Sequence, residues 1–336
     1  RKDVRYVRVM GSGTGEMRQF NNEWMTIKGG RIGPEYGIGH YVGHVTDAPV
    51  MILKSCIGNR SLGWDLLPPG SERYEIEEKG KTMVYAGYKD SPAKWEKGTE
   101  PKKIGWYAGM QYDGDVANAK KVLAELEKYY PGAKKYEVAG FFFWQGDKDR
   151  YNAAHAGRYE QNLVHFIKTL RKDFNAPSAN FVCATLGQTR KGAGGNEGKI
   201  LKAQLVVDGR SGKYPEFKGN VASVYSKPFC HGGSSSGHYG GNAETYMDVG
   251  EAMGRAMVQL LLNQEKAGRS AARPVDDKKA KILEQNLTRR LTMAKKYLKH
   301  GSKTNARRIL SDLAKKWPDT PQGQEAAQLI EAATGK

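Results

Sequence analysis

Continuous apolar runs alternate with segments of helical periodicity along most of this chain, and that alternation restricts the fold more than any other feature. The clearest runs are PVMILKSC (49–56), YEVAGFFFWQG (136–146), ANFVCATLG (179–187) and VASVYSK (221–227), with a strand expected at once over Val4–Met10. Helices are expected near 33–46, 114–130, 157–173 and 242–265. A strand apolar at consecutive positions is buried on both faces, so helices must cover a mostly parallel sheet from both sides. The pattern predicts an α/β chain. Ligands of such sheets bind beyond the carboxyl ends of the strands, which directs attention to the polar residues that follow each run.

Two stretches depart from the rhythm. Residues 64–112 carry Pro, Gly, charges of both signs and Trp64, Trp95 and Trp106, and are too long for an ordinary connection. They read as an insertion over the sheet edge, whose aromatics either stack on sugar rings or form a small core of their own. After Gln264 the composition changes: 265–276 reads as a linker, followed by helical patterns at 277–299, 303–316 and 321–334. The ending KKWPDTPQGQEA gives 277–336 a tetratricopeptide-like look over about one and a half repeats. It is expected to be a packing or docking appendage that could take a protein partner.

Length and composition set outer limits. The 336 residues allow one large domain and a smaller one, 1–264 and 277–336. No apolar run is long enough to span a bilayer. The net charge of +18 is spread along the chain without a nucleic-acid motif, so it reads first as a solvated surface and leans only slightly towards an acidic ligand. Cys56, Cys183 and Cys230 are odd in number and widely spaced, which argues against disulfides or a zinc site. Cys56 and Cys183 are expected in the core. No cofactor or metal is expected.

Four polar clusters fall at strand ends: SCIGNR (55–60), QGDKD (145–149), ATLGQ (184–188) and HGGSSSGHYGGNAETY (231–246). Gly58 directly follows a strand, where a backbone N–H can face a ligand. His238 stands in a Gly/Ser loop before a helix, where an imidazole can exchange a proton near neutral pH.

Together these blocks resemble a family. FFFWQGDKD is similar to the "WHQGESD" block of the sialate O-acetylesterase-like carbohydrate esterases, SGNH-type hydrolases that include family six. GRIGPEYGIGHYVG (30–43), KSCIGNRSLGWD (54–65) and GHYGGNAETYMDVGEAMGRAM (237–257) resemble three further blocks in the same order. The resemblance implies a three-layer α/β/α, flavodoxin-like sandwich and hydrolysis of an acetyl ester on a carbohydrate. It implies His238 as base, the Gly58 N–H and the Gln145 amide as oxyanion donors, and Asn59, Asp147 and Asp149 in support, Asp149 as a helix cap or loop brace. Trp64 and Trp106 would touch substrate. Members are commonly exported, so a secreted or periplasmic location is expected. Two blocks depart from the family. No GQSN or GDS occurs, so the nucleophilic Ser is expected upstream of Arg1, with Ser12 a lesser alternative. Ser235 stands where the family has the Asp that orients the His; a Ser-His dyad or another carboxylate, Glu244 or Asp248, would then be needed. The rival reading is a non-catalytic glycan-binding protein that uses the aromatic insertion and the basic surface.

Overall fold

A computed structural model describes residues 3–28, 32–46, 48–269, 277–299, 301–317 and 320–334. The chain forms two compact units, Arg1–Gly268 and Arg269–Lys336. In chain order the first unit holds β1 (Val4–Met10), β2 (Arg18–Trp24), α1 (Glu35–Val45), β3 (Val50–Ser55), β4 (Tyr74–Glu78), β5 (Lys81–Tyr85) and β6 (Lys94–Glu96). It continues through α2 (Met110–Ala124), α3 (Leu126–Tyr129), β7 (Gly140–Trp144), α4 (Ala153–Asp173), β8 (Asn180–Ala184), α5 (Gly195–Val206), β9 (Val221–Val224) and α6 (Ala243–Arg269). The second unit is built from α7 (Asp277–Lys299), α8 (Lys303–Lys316) and α9 (Pro321–Thr334).

The apolar runs do what continuous apolar strands require. β7, β8 and β9 form a parallel sheet in that order. Successive residues of β8 enter opposite cores: Phe181 and Cys183 pack with Tyr159, Ile167 and Ile200 of α4 and α5, while Val182 and Ala184 pack with Met253 and Met257 of α6. Helices therefore cover both faces, and the α/β reading holds. The sheet is not continuous, however. β1 pairs in parallel with β3 and antiparallel with β2 in a separate sheet, ordered β2-β1-β3. The segment expected as a strand from Tyr136 joins the ladder only at Gly140.

Buried polar links fix these pieces. Glu35, at the start of α1, accepts from Tyr6 Oη at 2.7 Å and Lys54 Nζ at 2.9 Å, tying α1 to β1 and β3. Burial works to raise the Glu35 pKa, but the Lys54 ammonium and the Tyr6 hydroxyl outweigh it and hold the carboxyl below its usual range.

The insertion forms the antiparallel meander β4-β5-β6. Trp64 and Trp95 pack on Leu67, Ala86 and Ala108, so these aromatics let the long loop hold its shape. Cys183 is buried as expected, but Cys56 is exposed at the end of β3. Helix α6 runs through Arg269, so residues 265–269 of the expected linker are helical; 270–276 lie outside the described residues. In the second unit Leu287, Leu291, Leu310 and Leu313 close on Ala294 and Ala326 as a core of its own. Among the described residues no helix is long and apolar enough to cross a membrane.

Candidate active site

The polar residues that end β3 and β7 meet. Gln145 Nε2 donates to Arg60 O at 2.9 Å and to Asp149 Oδ2 at 2.5 Å. Asp149 is fully buried and accepts from the backbone N–H groups of Leu62 (2.9 Å) and Gly63 (2.8 Å). Burial pushes its carboxyl up to about 6, against those three donors. Asp149 is a brace for the loop after β3 and not a helix cap; that role falls to Asn152, whose Oδ1 accepts from Ala154 N and His155 N at the start of α4.

This geometry corrects the expectation for Gln145. Both amide hydrogens are engaged by Arg60 and Asp149, and its Oε1 accepts from Tyr159 Oη at 2.7 Å. No N–H is left to meet a developing oxyanion, so the amide acts by holding the Gly58–Arg60 backbone in place. Gly58 itself is exposed, and a Cβ there would meet nothing within 4 Å. Packing does not require the glycine, and its N–H has no protein acceptor among the described residues. Asn59 beside it is exposed and left-handed, with φ 58°.

His238 lies in a run of left-handed residues: His238 (φ 50°), Tyr239 (51°), Gly240 (63°) and Gly241 (71°). For His and Tyr this conformation costs about 1–2 kcal/mol each, so something must hold it. Tyr239 does so: its ring stacks on Trp144 at 5.5 Å and 10°, and its hydroxyl accepts from Gly187 N at 3.2 Å. The buried Tyr239 fixes the turn, and the neighbouring His238 is left exposed with an imidazole that hydrogen-bonds to none of the described residues. Strain of this kind collects at functional sites.

Ser235 does not take the place of an orienting acid. Its hydroxyl donates to Asp147 Oδ1 at 2.5 Å, and Asp147 also accepts from Arg150 Nε at 2.8 Å. Asp147 and Ser235 thus join the loop after β7 to the loop that carries His238. Glu244 and Asp248 are exposed on α6, and no carboxylate of the described residues is hydrogen-bonded to the His238 imidazole.

A second polar cluster escaped the sequence reading. Gln111, fully buried, accepts from Gly13 N (2.9 Å) and Arg60 Nε (3.0 Å) and donates to Gly11 O (2.9 Å) and Asp115 Oδ1 (2.8 Å). Burial raises Asp115 to about 7. A carboxyl titrating near neutrality at a cleft is a candidate proton carrier. Its only signal in sequence was Gln-x-x-x-Asp on one face of a helix. Ser12, the lesser nucleophile candidate, has an oxygen that accepts from Arg60 Nη2 at 3.0 Å. A guanidinium partner leaves it without the base that activation needs.

One cleft of about 1740 Å³ unites Gly58, Asn59, Gln145, Asp147, Ser235 and His238 at its polar end, with Asp115 on its wall. Trp64 and Trp106 do not line it. Trp106 instead carries the Arg60 guanidinium, 4.9 Å from its ring. Among the described residues no group of three or more His, Cys, Asp or Glu could hold a metal ion.

A solved structure of a protein from Arabidopsis thaliana is 16% identical, with 75% of this chain and 80% of that one covered and a TM-score of 0.41. No curated protein matches. The family described as carbohydrate esterase, sialic acid-specific acetylesterase, matches residues 91–259, half of the chain and the part that contains Gln145, Asp147, Ser235 and His238. The chain belongs to this family of carbohydrate esterases.

Proposed function

We propose that this chain is the body of a serine-type O-acetylesterase acting on acetylated sugars or polysaccharides. The observation that carries the reading is His238: exposed at the carboxyl edge, held there by a strained turn, and sharing one cleft with the free N–H of Gly58. In this reading a serine hydroxyl contributed by residues preceding Arg1 attacks the acetyl carbonyl carbon. His238 takes the hydroxyl proton, and the Gly58 N–H donates to the carbonyl oxygen as it gains charge. His238 then protonates the departing sugar oxygen, and water attacks the acyl-enzyme with His238 again as base. Asp147 and Ser235 keep the two loops at their working separation, while Gln145 and Asp149 position Gly58. The sites expected for sugar stacking at Trp64 and Trp106 drop out. Export and a tetratricopeptide-like nature for 277–336 belong to the same reading and rest on the sequence resemblance.

Fluorophosphonate labelling with peptide mapping tests it. The gene product that includes preceding residues should label on an upstream Ser, and His238→Ala should reduce labelling and acetyl-ester turnover by about 10²–10⁴-fold. Labelling at Ser12 or Ser234–Ser236, or labelling indifferent to His238, would contradict the assignment.

A further inference from the structure

The net charge is not shared evenly between the two units. Residues 269–336 hold sixteen Lys and Arg against seven Asp and Glu, so about a fifth of the chain carries +9 of the +18. Helix α8 gathers part of that excess on one face. Its apolar side chains Ala306, Leu310 and Leu313 are buried in the core of the unit. Lys303, Thr304, Arg307, Arg308, Ser311 and Lys315 are all exposed, and at about 100° per residue they share one arc of about 140°. The first five line a depression of about 510 Å³. Lys303, Arg307, Ser311 and Lys315 recur every fourth residue and make a stripe about 18 Å long. None of these four cations is paired with a described residue, whereas Arg290 is held by Asp312 at 2.6 Å and Lys295 by Glu325 at 2.5 Å. Asp312 is the one acid of α8, and it is turned to α7. Local preference opposes the arrangement. The first turn of α8 holds Lys303 and no acid, although the helix dipole favours an anion there and Lys303 and Arg307, four residues apart, repel. A local rule broken in this way marks a face kept for something other than folding.

We propose that this face of α8 binds an anionic polysaccharide through the sulfate or carboxylate groups along its chain. The choice of a sugar polyanion rests on the carbohydrate esterase reading; the face itself does not. Arg307 and Arg308 present planar forks that pair bidentately with either group, and the hydroxyls of Thr304 and Ser311 both donate and accept beside them. The face lacks what other polyanions use. Single-stranded nucleic acid needs exposed rings on which bases stack, and Trp317 of this unit packs against its core. A membrane surface or an acidic protein is anchored by apolar groups beside the charges. Among the described residues of this unit the exposed large apolar side chain is Met293, which stands on α7 outside the depression. A hydrophilic polymer needs no such anchor. Polymer held on α8 is tied by the chain itself to the esterase unit, which raises the concentration of acetyl groups that unit meets.

Titration calorimetry of this chain with polygalacturonate, dextran sulfate and neutral dextran, in salt of about 0.15 M, tests the proposal. At least one anionic polymer should bind and dextran should not, and the one that binds tells carboxylate from sulfate. Lys303→Gln, Arg307→Gln and Arg308→Gln together should weaken binding by about tenfold or more; glutamine keeps the helical preference of these positions. The same loss of charge on the first unit, at the exposed Lys102, Lys103 and Lys199, should change it by less than about twofold. Equal weakening by the two sets would overturn the proposal, since overall charge would then account for binding. So would the absence of binding to either anionic polymer. Tighter binding of duplex DNA, poly-glutamate or phosphatidylserine vesicles, lost in the same α8 variant, would overturn it in favour of that partner. A second reading needs no substitution: bound polymer should shield Lys303 from acylation by an N-hydroxysuccinimide ester more than Lys102 and Lys103. Equal shielding would overturn the proposal. Fluorophosphonate labelling is scored separately. Binding without labelling keeps the face and removes the esterase reading, and labelling without binding does the reverse.

Discussion

His238 illustrates how a single residue can be placed against its own preference. In a left-handed turn, glycine escapes the penalty that a Cβ incurs. His238→Gly should therefore be more stable than His238→Ala by about 1 kcal/mol in urea unfolding. Equal stabilities would show that the turn stores no strain. Asp149 makes the opposite case, a charge placed where three N–H groups require it. Asp149→Ala leaves the Leu62 and Gly63 N–H groups and the Gln145 amide without their acceptor, and should cost about 3 kcal/mol by the same measurement. Two buried groups also give stability opposite pH dependences. Burial depresses His155 to about 4, so its contribution is complete above the ordinary histidine value of about 6.5 and is lost as pH falls towards 4. Asp149 is raised to about 6; its contribution is complete below about 4 and is lost as pH rises through 6. His155→Leu should thus lose less stability than the parent between pH 6.5 and 4, measured as the shift in urea midpoint. A parallel pair of pH curves would rule this out.

Among the elements, α2 shows a local rule reversed by packing. Glycine inside a helix normally costs about 0.5–1 kcal/mol relative to alanine. At Gly114, however, a Cβ would lie 1.8 Å from Gly13 O, where the 11–15 loop rests on the helix. Gly114→Ala should therefore destabilise, by about 1–3 kcal/mol, and its sign in urea unfolding decides the matter. The strong strands β3, β7, β8 and β9 were legible because their apolar runs declare burial on both faces. β2 was not, since RQFNNEW is polar and becomes a strand only by pairing with β1. Helix α5 was missed because its start, GGNEG, reads as loop; Ile200 and Leu201 bury it against the sheet. The meander β4-β5-β6 was hidden in an insertion whose aromatics could equally have faced a ligand.

For the whole molecule, protection should follow the sheet. β8 has partners on both sides and helices on both faces, so its amides should exchange slowest in the chain, ahead of β3 and β7 by at least about tenfold. Uniform protection across these strands would mean that the two sheet edges are already paired. What the sequence determined by itself was periodicity: which segments are strands buried on both faces, which are amphipathic helices, and that the polar residues with chemistry stand at strand ends. It also pointed to His238 and Gly58, which the fold brings to one cleft, because motif order survives without coordinates. Partnership was decided only by the tertiary structure. Gln145 spends its amide on Arg60, 85 positions away; Ser235 belongs to Asp147 rather than to His238; and Asp115 reaches the cleft by way of a buried glutamine. Each outcome depends on which hydrogen-bonding groups the fold brings within about 3 Å of one another, a distance that sequence separation does not encode.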